Sequence, residues 1–181
     1  MAAENQSNLK EFVHTMPNGE KIVLRRCWDA QPSHGDAQLY CSQDGQHFFA
    51  VTRATIRELK LTYTPNRPSK RSGGHAQYKY VSKFHLKACH IAVYEAWVGK
   101  RKRGMQIDHL NGDPLDNRVD NLEMVTPEEN IKRAKLLRIM RSSGRDPRQL
   151  SRDELLRIFR RYRIDPSFDQ MAYEMTHHCE I

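Results

Sequence analysis

The fold of this chain is decided by residues 105–138, which read MQIDHLNGDPLDNRVDNLEMVTPEENIKRAKLLR. The first six residues form a short apolar run that predicts a strand and carries the pair Asp108-His109. The next eleven are rich in Asn, Asp, Gly and Pro, which predicts a tight loop. Leu122–Val125 can form a second short strand, so the segment begins as strand, loop and strand.

A helix is predicted to begin at Thr126, because three independent signals meet there. Thr126 and Glu129 form a capping box, and Pro127 occupies the first helical position. Two glutamates stand at the positive end of the helix dipole. Asn130 follows in the first turn, where its side chain can face back toward the strand that carries the Asp-His pair.

This grouping of a carboxylate, an imidazole and an amide oxygen suits metal-assisted hydrolysis. Mg2+ takes oxygen ligands and keeps several waters, so one or two protein groups commonly hold it together with a substrate phosphate. Asp108 and Asn130 can supply such oxygens. A neutral His109 beside them can take the proton from an attacking water.

The segment resembles the HNH endonucleases of the ββα-metal fold, especially the homing type of phages and mobile introns. The matching residues read IDHLNGD at 107–113, DNRVDNL at 116–122 and VTPEEN at 125–130. The spacing of His109, Asn121 and Asn130 fits the H-N-N variant of the motif. The resemblance implies that Asp108 and Asn130 bind one divalent cation, Mg2+ or Mn2+, and that His109 is the general base. It also implies that Asn121 holds the loop that orients His109, whereas Asn117 is interpreted as a turn former.

The charge distribution favours nucleic acid as the partner. Residues 53–103 hold 13 Lys/Arg against 2 Asp/Glu, residues 104–131 hold 1 against 7, and residues 132–163 hold 12 against 3. An acidic segment between two basic ones is what a metal site acting on a phosphate backbone needs. The predicted nucleic-acid contacts are Lys100, Arg101, Lys102, Arg103, Arg118, Lys132 and Arg133.

Composition limits the other classes of protein. A chain of 181 residues suggests one compact domain or two small ones, and no apolar run approaches the length of a membrane span. The N-terminus does not read as a signal peptide. The four scattered cysteines form no C-x-x-C pair, so reduced thiols rather than zinc are expected. We therefore expect a cytoplasmic protein of a bacterial or phage-infected cell, without a small-molecule substrate or an organic cofactor.

The fold class expected is α+β, in three parts. Residues 1–84 are predicted to form a small antiparallel β module that contacts DNA, residues 85–141 the ββα-metal core, and residues 142–181 a helical basic tail. Asp44-Gly45 between two apolar runs predicts a hairpin in the first part, whereas residues 52–62 fit a helix or a strand equally. Residues 1–19 are expected to be loosely held until the turn at 17–19.

Two further elements are predicted immediately before the core. Gln77–Phe84 alternates aromatic residues with lysine and predicts a strand. His85–Trp97 has helical periodicity, and its HIAVYEAW is similar to a helix found upstream of the family motif. His90 lies on the apolar face of that helix and is interpreted as a satisfied core residue. In the tail, Ser151 and Glu154 predict the start of a helix that extends to about Tyr162, and residues 168–175 a further short helix.

The function expected is DNA phosphodiester hydrolysis with one cation and a histidine base. The chain holds one copy of the motif, so a monomer that nicks one strand is favoured over a dimer that cuts both. The alternative is a DNA-binding module or regulator that keeps the fold without turnover. Structural RNA binding is disfavoured, because the sequence shows no RNA-recognition signature.

Overall fold

The computed structural model describes residues 10–65, 67–68, 75–142, 144 and 150–162. Twelve strands and three helices are described in these ranges. The strands are β1 Glu11–Thr15, β2 Lys21–Arg26, β3 Gln38–Ser42, β4 Phe48–Val51, β5 Ile56–Glu58, β6 Thr62–Tyr63, β7 Arg67–Pro68, β8 His75–Ala76, β9 Lys79–Val81, β10 Lys87–Ala88, β11 Gln106–His109 and β12 Leu122–Val125. The helices are α1 Cys89–Trp97, α2 Pro127–Arg141 and α3 Arg152–Tyr162. The mixed α+β class is confirmed.

The N-terminal part is an antiparallel sheet of five strands in the order β1-β2-β3-β4-β5. The hairpin prediction is confirmed, because β3 and β4 pair in register with Cys41 opposite Phe48. The region left open at 52–62 contributes the strand β5 and the start of β6.

The expectation that the first residues are loosely held is wrong for β1. Phe12 is buried in a cluster with Leu24 and Tyr40, and its ring meets the Tyr40 ring edge to face at a centroid distance of 5.1 Å. This single aromatic contact gives β1 an apolar anchor that the polar composition of the segment conceals. The turn at 17–19 is present, and Gly19 there has a φ of 86°.

The two elements predicted before the core begin and end differently in the structure. The strand predicted at 77–84 is reduced to β9, and residues 82–84 form a short 3-10 turn that buries Phe84. The helix predicted from His85 begins only at Cys89. His85 and Leu86 adopt left-handed φ angles of 51° and 54°, and the following β10 pairs with β9. Two further small pairings are β6 with β9 and β7 with β8.

One hydrophobic core joins the N-terminal sheet to the segment that carries the motif. Leu39 and Phe48 from the sheet, Val93 from α1, and Ile107 and Leu122 from the motif strands belong to the same buried cluster. The division of the chain at residue 84 stays a prediction about which segment can fold alone. Cys27, Cys41 and Cys89 are buried free thiols within this core.

The helix that follows the motif strands begins as predicted. The Thr126 hydroxyl accepts a hydrogen bond from the Glu129 amide at 3.1 Å, and Pro127 occupies the first turn of α2. In α3, the Ser151 hydroxyl and the Glu154 carboxylate form a pair of capping contacts. The short helix predicted at 168–175 lies outside the described residues.

Candidate active site

The site is built on the hairpin of β11 and β12 together with the first turns of α2. The two strands pair antiparallel, so that Asp108 lies opposite Glu123 and His109 opposite Leu122. Apolar Ile107 and Leu122 point into the core, which fixes the hairpin to the sheet and to α1. The polar pair Asp108 and His109 is therefore delivered at the end of β11, where the chain enters the loop.

The loop between the two strands is held by the side chain of Asn121. Its Oδ1 accepts from the Asn111 amide at 3.0 Å, and its Nδ2 donates to the Asn111 Oδ1 at 3.0 Å and to the Asp116 carbonyl at 2.8 Å. Asn121 is 3% exposed, so these bonds lie out of competition with water. The contacts are those of a residue that fixes the shape of the loop, and the role assigned to Asn121 stays a prediction.

His109 has a buried partner that the sequence did not indicate. Its Nε2 lies 3.1 Å from Oδ1 of Asn117, a residue with no exposed surface. Asn117 donates through Nδ2 to the Leu115 carbonyl at 3.4 Å, which turns its oxygen toward the imidazole. An amide oxygen can only accept, so Nε2 carries the proton and Nδ1 is left with a lone pair. Asn117 is thus more than a turn former, and nothing in its sequence context distinguishes it from one.

The ionisation of His109 is set by two opposing effects. Burial lowers the pKa of the imidazole, and the hydrogen bond to Asn117 opposes that shift. A neutral imidazole with a free Nδ1 lone pair is the form that can take a proton.

A second imidazole lies against the first. The ring of His90 is 5.0 Å from the ring of His109 and 5.8 Å from the ring of Tyr78, between centroids. Burial lowers the pKa of His90 to about 3, with smaller contributions from His109 and Arg101. The interpretation of His90 as an ordinary core residue is incomplete, because its half-buried ring also lines the cavity described below.

Asp108 lies beside a buried arginine. Its Oδ2 is 4.0 Å from Nη1 of Arg133, whose side chain is only 5% exposed and which binds Glu123 at 2.6 Å and Glu129 at 3.3 Å. Burial raises the pKa of Asp108 to about 6, and the Arg133 charge opposes that rise. The predicted nucleic-acid contact at Arg133 is therefore not supported, because α2 turns this side chain inward onto three carboxylates.

Asp108, His109 and Asn130 open into one cavity of about 660 Å³. Its walls come from the turn that precedes β10, from α1, from β11 and from α2. The structure thus brings together the three residues that the motif singled out for metal binding and proton transfer. A cavity of this size is within the range of ligand-binding clefts.

The donor set fits a hard divalent cation that retains water ligands. Asn130 donates through Nδ2 to Oε1 of Gln106 at 2.6 Å, which leaves its oxygen available to the cavity. The Asp108 carboxylate supplies the second oxygen. In the described part of the chain, no group of three or more His, Cys, Asp or Glu side chains forms a complete metal cage. Two protein oxygens are what Mg2+ takes when water and phosphate fill its other positions.

The other predicted nucleic-acid contacts differ in how accessible they are. Lys100, Arg101, Lys102 and Arg103, here named the basic loop, are exposed, and Arg101 also lines the cavity. Lys132 is exposed on the first turns of α2. Arg118 is half-buried and bonds to Asp116 at 2.9 Å. The basic loop is therefore the largest group of predicted contacts that is open to solvent beside the site.

Two short strands and a helix that surround an Asp-His pair and a helical Asn define a nuclease core of the ββα type. Residues 87–132 match the model of the HNH endonuclease family, so the chain contains an HNH endonuclease domain. The matched segment includes Asp108, His109, Asn121 and Asn130, and an HNH domain indicates nuclease activity and DNA as its partner.

The comparison with curated proteins gives one short match. The chain is 46% identical over 41 residues to Protein 3.8 of Escherichia phage T7, which is 23% of this chain and 34% of that protein. The match therefore spans only about a third of the relative's length. No solved structure matches the chain significantly. Among the helices that the structure describes, none combines the length and apolar character of a membrane span.

Proposed function

We propose that this protein is a metal-dependent DNA endonuclease of the homing type that nicks one strand of a duplex. The observation that carries the proposal is the buried His109, whose Nε2 is engaged by Asn117 while Asp108 and Asn130 share its cavity. This arrangement leaves one ring nitrogen as a base beside two oxygens suited to a cation. A protein that only bound DNA would have no use for such a pair.

His109 would act as the general base. Its Nδ1 takes a proton from a water molecule, and the resulting hydroxide attacks the phosphorus of the backbone. The bond from phosphorus to the 3′ oxygen breaks, and that oxygen is protonated from solvent. The products are a 5′-phosphate and a 3′-hydroxyl.

Asp108 and Asn130 would hold the divalent cation, Mg2+ or Mn2+. When bound, the cation stabilises the negative charge that develops on the phosphate and on the departing oxygen. Asn121 keeps the loop folded, so that His109 and Asp108 stay in a fixed relation to each other. Arg133 supplies a fixed positive charge beside Asp108 and favours its ionised form.

The substrate would be double-stranded DNA, bound mainly through its phosphates. The basic loop lies exposed next to the cavity, and residues 53–103 and 132–163 carry the excess positive charge of the chain. The similarity to a phage T7 protein fits a phage or mobile-element setting for the activity. A cytoplasmic location in a bacterial or phage-infected cell would follow from that setting.

The first test is plasmid cleavage with and without Mg2+ or Mn2+. The wild-type protein should relax supercoiled plasmid only when the cation is present, and Asp108→Ala and Asn130→Ala should each need more cation. A protein that shifts plasmid in a gel but leaves it intact with every cation would be a DNA-binding module, which is the alternative function.

The second test separates nicking from double-strand cleavage. One motif supplies one base and one pair of metal ligands, so a monomer can process one strand at a time. With limiting protein, open circles should precede linear plasmid. Linear product without open circles would point instead to a symmetric dimer that cuts both strands.

A further inference from the structure

The turn that closes one side of the cavity has an unusual backbone. His85 and Leu86 follow one another with φ angles of 51° and 54°. Left-handed angles are sparsely populated by residues with a side chain, and large residues such as Leu adopt them rarely. Consecutive residues in this region are strained, and such strain persists only where the surrounding structure enforces it.

The surrounding contacts do hold this turn in place. Phe84 is buried at its start, and the His85 amide donates to the Ser33 hydroxyl at 3.2 Å. The Ser33 amide in turn donates to the Lys83 carbonyl at 2.8 Å. After the turn, β10 pairs with β9. The turn is therefore anchored on both sides and fixes the direction in which its side chains point.

What the turn presents is an exposed apolar side chain at the cavity. Leu86 is 59% exposed and lines the same cavity as Asp108, His109 and Asn130. Its neighbours include the exposed Lys83 on the same turn and Arg101 on the cavity wall. An apolar side chain set among cations beside a phosphodiester site fits DNA, because the cations meet phosphates while the apolar group meets base surfaces.

The reacting groups themselves are recessed. His109 is 5% exposed, and the Asp108 side chain is 20% exposed. A phosphate in a regular, stacked duplex is constrained by its neighbours and must be moved to reach such groups. Apolar side chains that enter between base pairs unstack and bend the duplex, which displaces the backbone at that step.

We propose that Leu86 is a wedge that enters the duplex beside the scissile phosphate and opens the base step, so that the phosphate can reach the cavity. This inference rests on the proposed function, since it assigns a specificity-determining contact to the same site. Leu86 acts on the shape of the substrate and takes no part in the proton transfer. DNA sequences that unstack easily at the cut step are then the preferred substrates.

The test compares Leu86→Ala with Leu86→Met and with Val13→Ala on two substrates. Val13 is 58% exposed on β1 and does not line the cavity, so it controls for the loss of an exposed apolar group. One substrate is a duplex with a mapped cleavage site, and the other carries a mismatch at the cleaved step. Single-turnover cleavage is measured on both, with thermal unfolding to show that each variant is folded.

Leu86→Ala should cut the paired duplex at least about tenfold more slowly and the mismatched duplex nearly as fast as wild type, because the mismatch replaces the unstacking. Leu86→Met and Val13→Ala should resemble wild type on both substrates. Equal rates for Leu86→Ala and wild type on the paired duplex, or an equal loss on both substrates, would overturn the wedge.

A binding measurement keeps the wedge testable even if the protein cuts no DNA. In duplexes with 2-aminopurine placed at successive positions, binding of the wild-type protein in metal-free buffer should raise the fluorescence of a base at one step. Leu86→Ala should bind without that rise. An absence of any rise with the wild-type protein would refute the wedge, whereas an absence of cleavage with the rise intact would refute only the proposed function.

Discussion

Replacing Asn117 by Ala tests whether the tautomer of His109 matters. The substitution removes the only acceptor recorded for Nε2 among the described residues, at 3.1 Å, from a position with no exposed surface. Water has no direct route to replace it. The Nε2 proton is then left unpaired in the ground state, and more so when the ring becomes a cation in the transition state.

The magnitude follows from the cost of an unsatisfied buried donor, about 1–3 kcal/mol. If this cost is expressed in the transition state, each 1.36 kcal/mol is tenfold in rate, so cleavage should slow by about 5- to 150-fold. The single-turnover rate of plasmid nicking at saturating cation measures it. Asn117→Asp keeps an oxygen acceptor and should recover much of the rate.

Thermal unfolding of each variant supplies the control, because Asn117→Ala also leaves a small cavity. The expected pattern is a folded Asn117→Ala protein that binds DNA normally and cuts it slowly. If a folded Asn117→Ala protein cuts within about twofold of wild type, the hydrogen bond does not orient the base and the reasoning fails.

Three further predictions concern packing, binding and pH. Gly45→Ala should lower the free energy of unfolding by about 1–3 kcal/mol and slow cleavage, because its Cβ would lie 2.5 Å from the Asn117 carbonyl; Gly19→Ala, also at positive φ but in open space, should cost less, and equal unfolding midpoints would contradict this. Replacing the whole basic loop by Ala should weaken DNA binding and flatten its salt dependence by up to about 0.9 per lost phosphate contact, whereas an unchanged slope would place the loop outside the interface. The pKa of His90 is lowered to about 3 in the folded state from about 6.5 when unfolded, so its contribution to stability should be lost as the pH falls below about 6.5, and His90→Gln should reduce that loss in urea unfolding.

The local signals in the sequence were sufficient for the motif itself. The capping box at Thr126 and Glu129 and the Asp-Gly hairpin at 44–45 depend on neighbours within a few residues. Such short-range patterns fix where strands and helices begin, and the structure confirms both.

Contacts between distant residues could not be predicted in the same way. The partnership of Asn117 with His109 depends on how the loop folds back, and the burial of Arg133 depends on which face of α2 meets β12. Helical periodicity placed His85 and Leu86 in a helix, but the buried Phe84 and the pairing of β10 with β9 require a left-handed turn there. Tertiary packing overrides local propensity at these positions.

The most direct test of the central claim compares the wild-type protein with His109→Ala on supercoiled plasmid in Mg2+. The account predicts that wild type produces open circles with 5′-phosphate and 3′-hydroxyl ends, and that EDTA stops the reaction. It predicts that His109→Ala binds the plasmid with similar affinity and loses most of the cleavage, by about 10²–10⁴-fold for the loss of a general base. Cleavage by His109→Ala at the wild-type rate would contradict the assignment of the base and with it the account of the site.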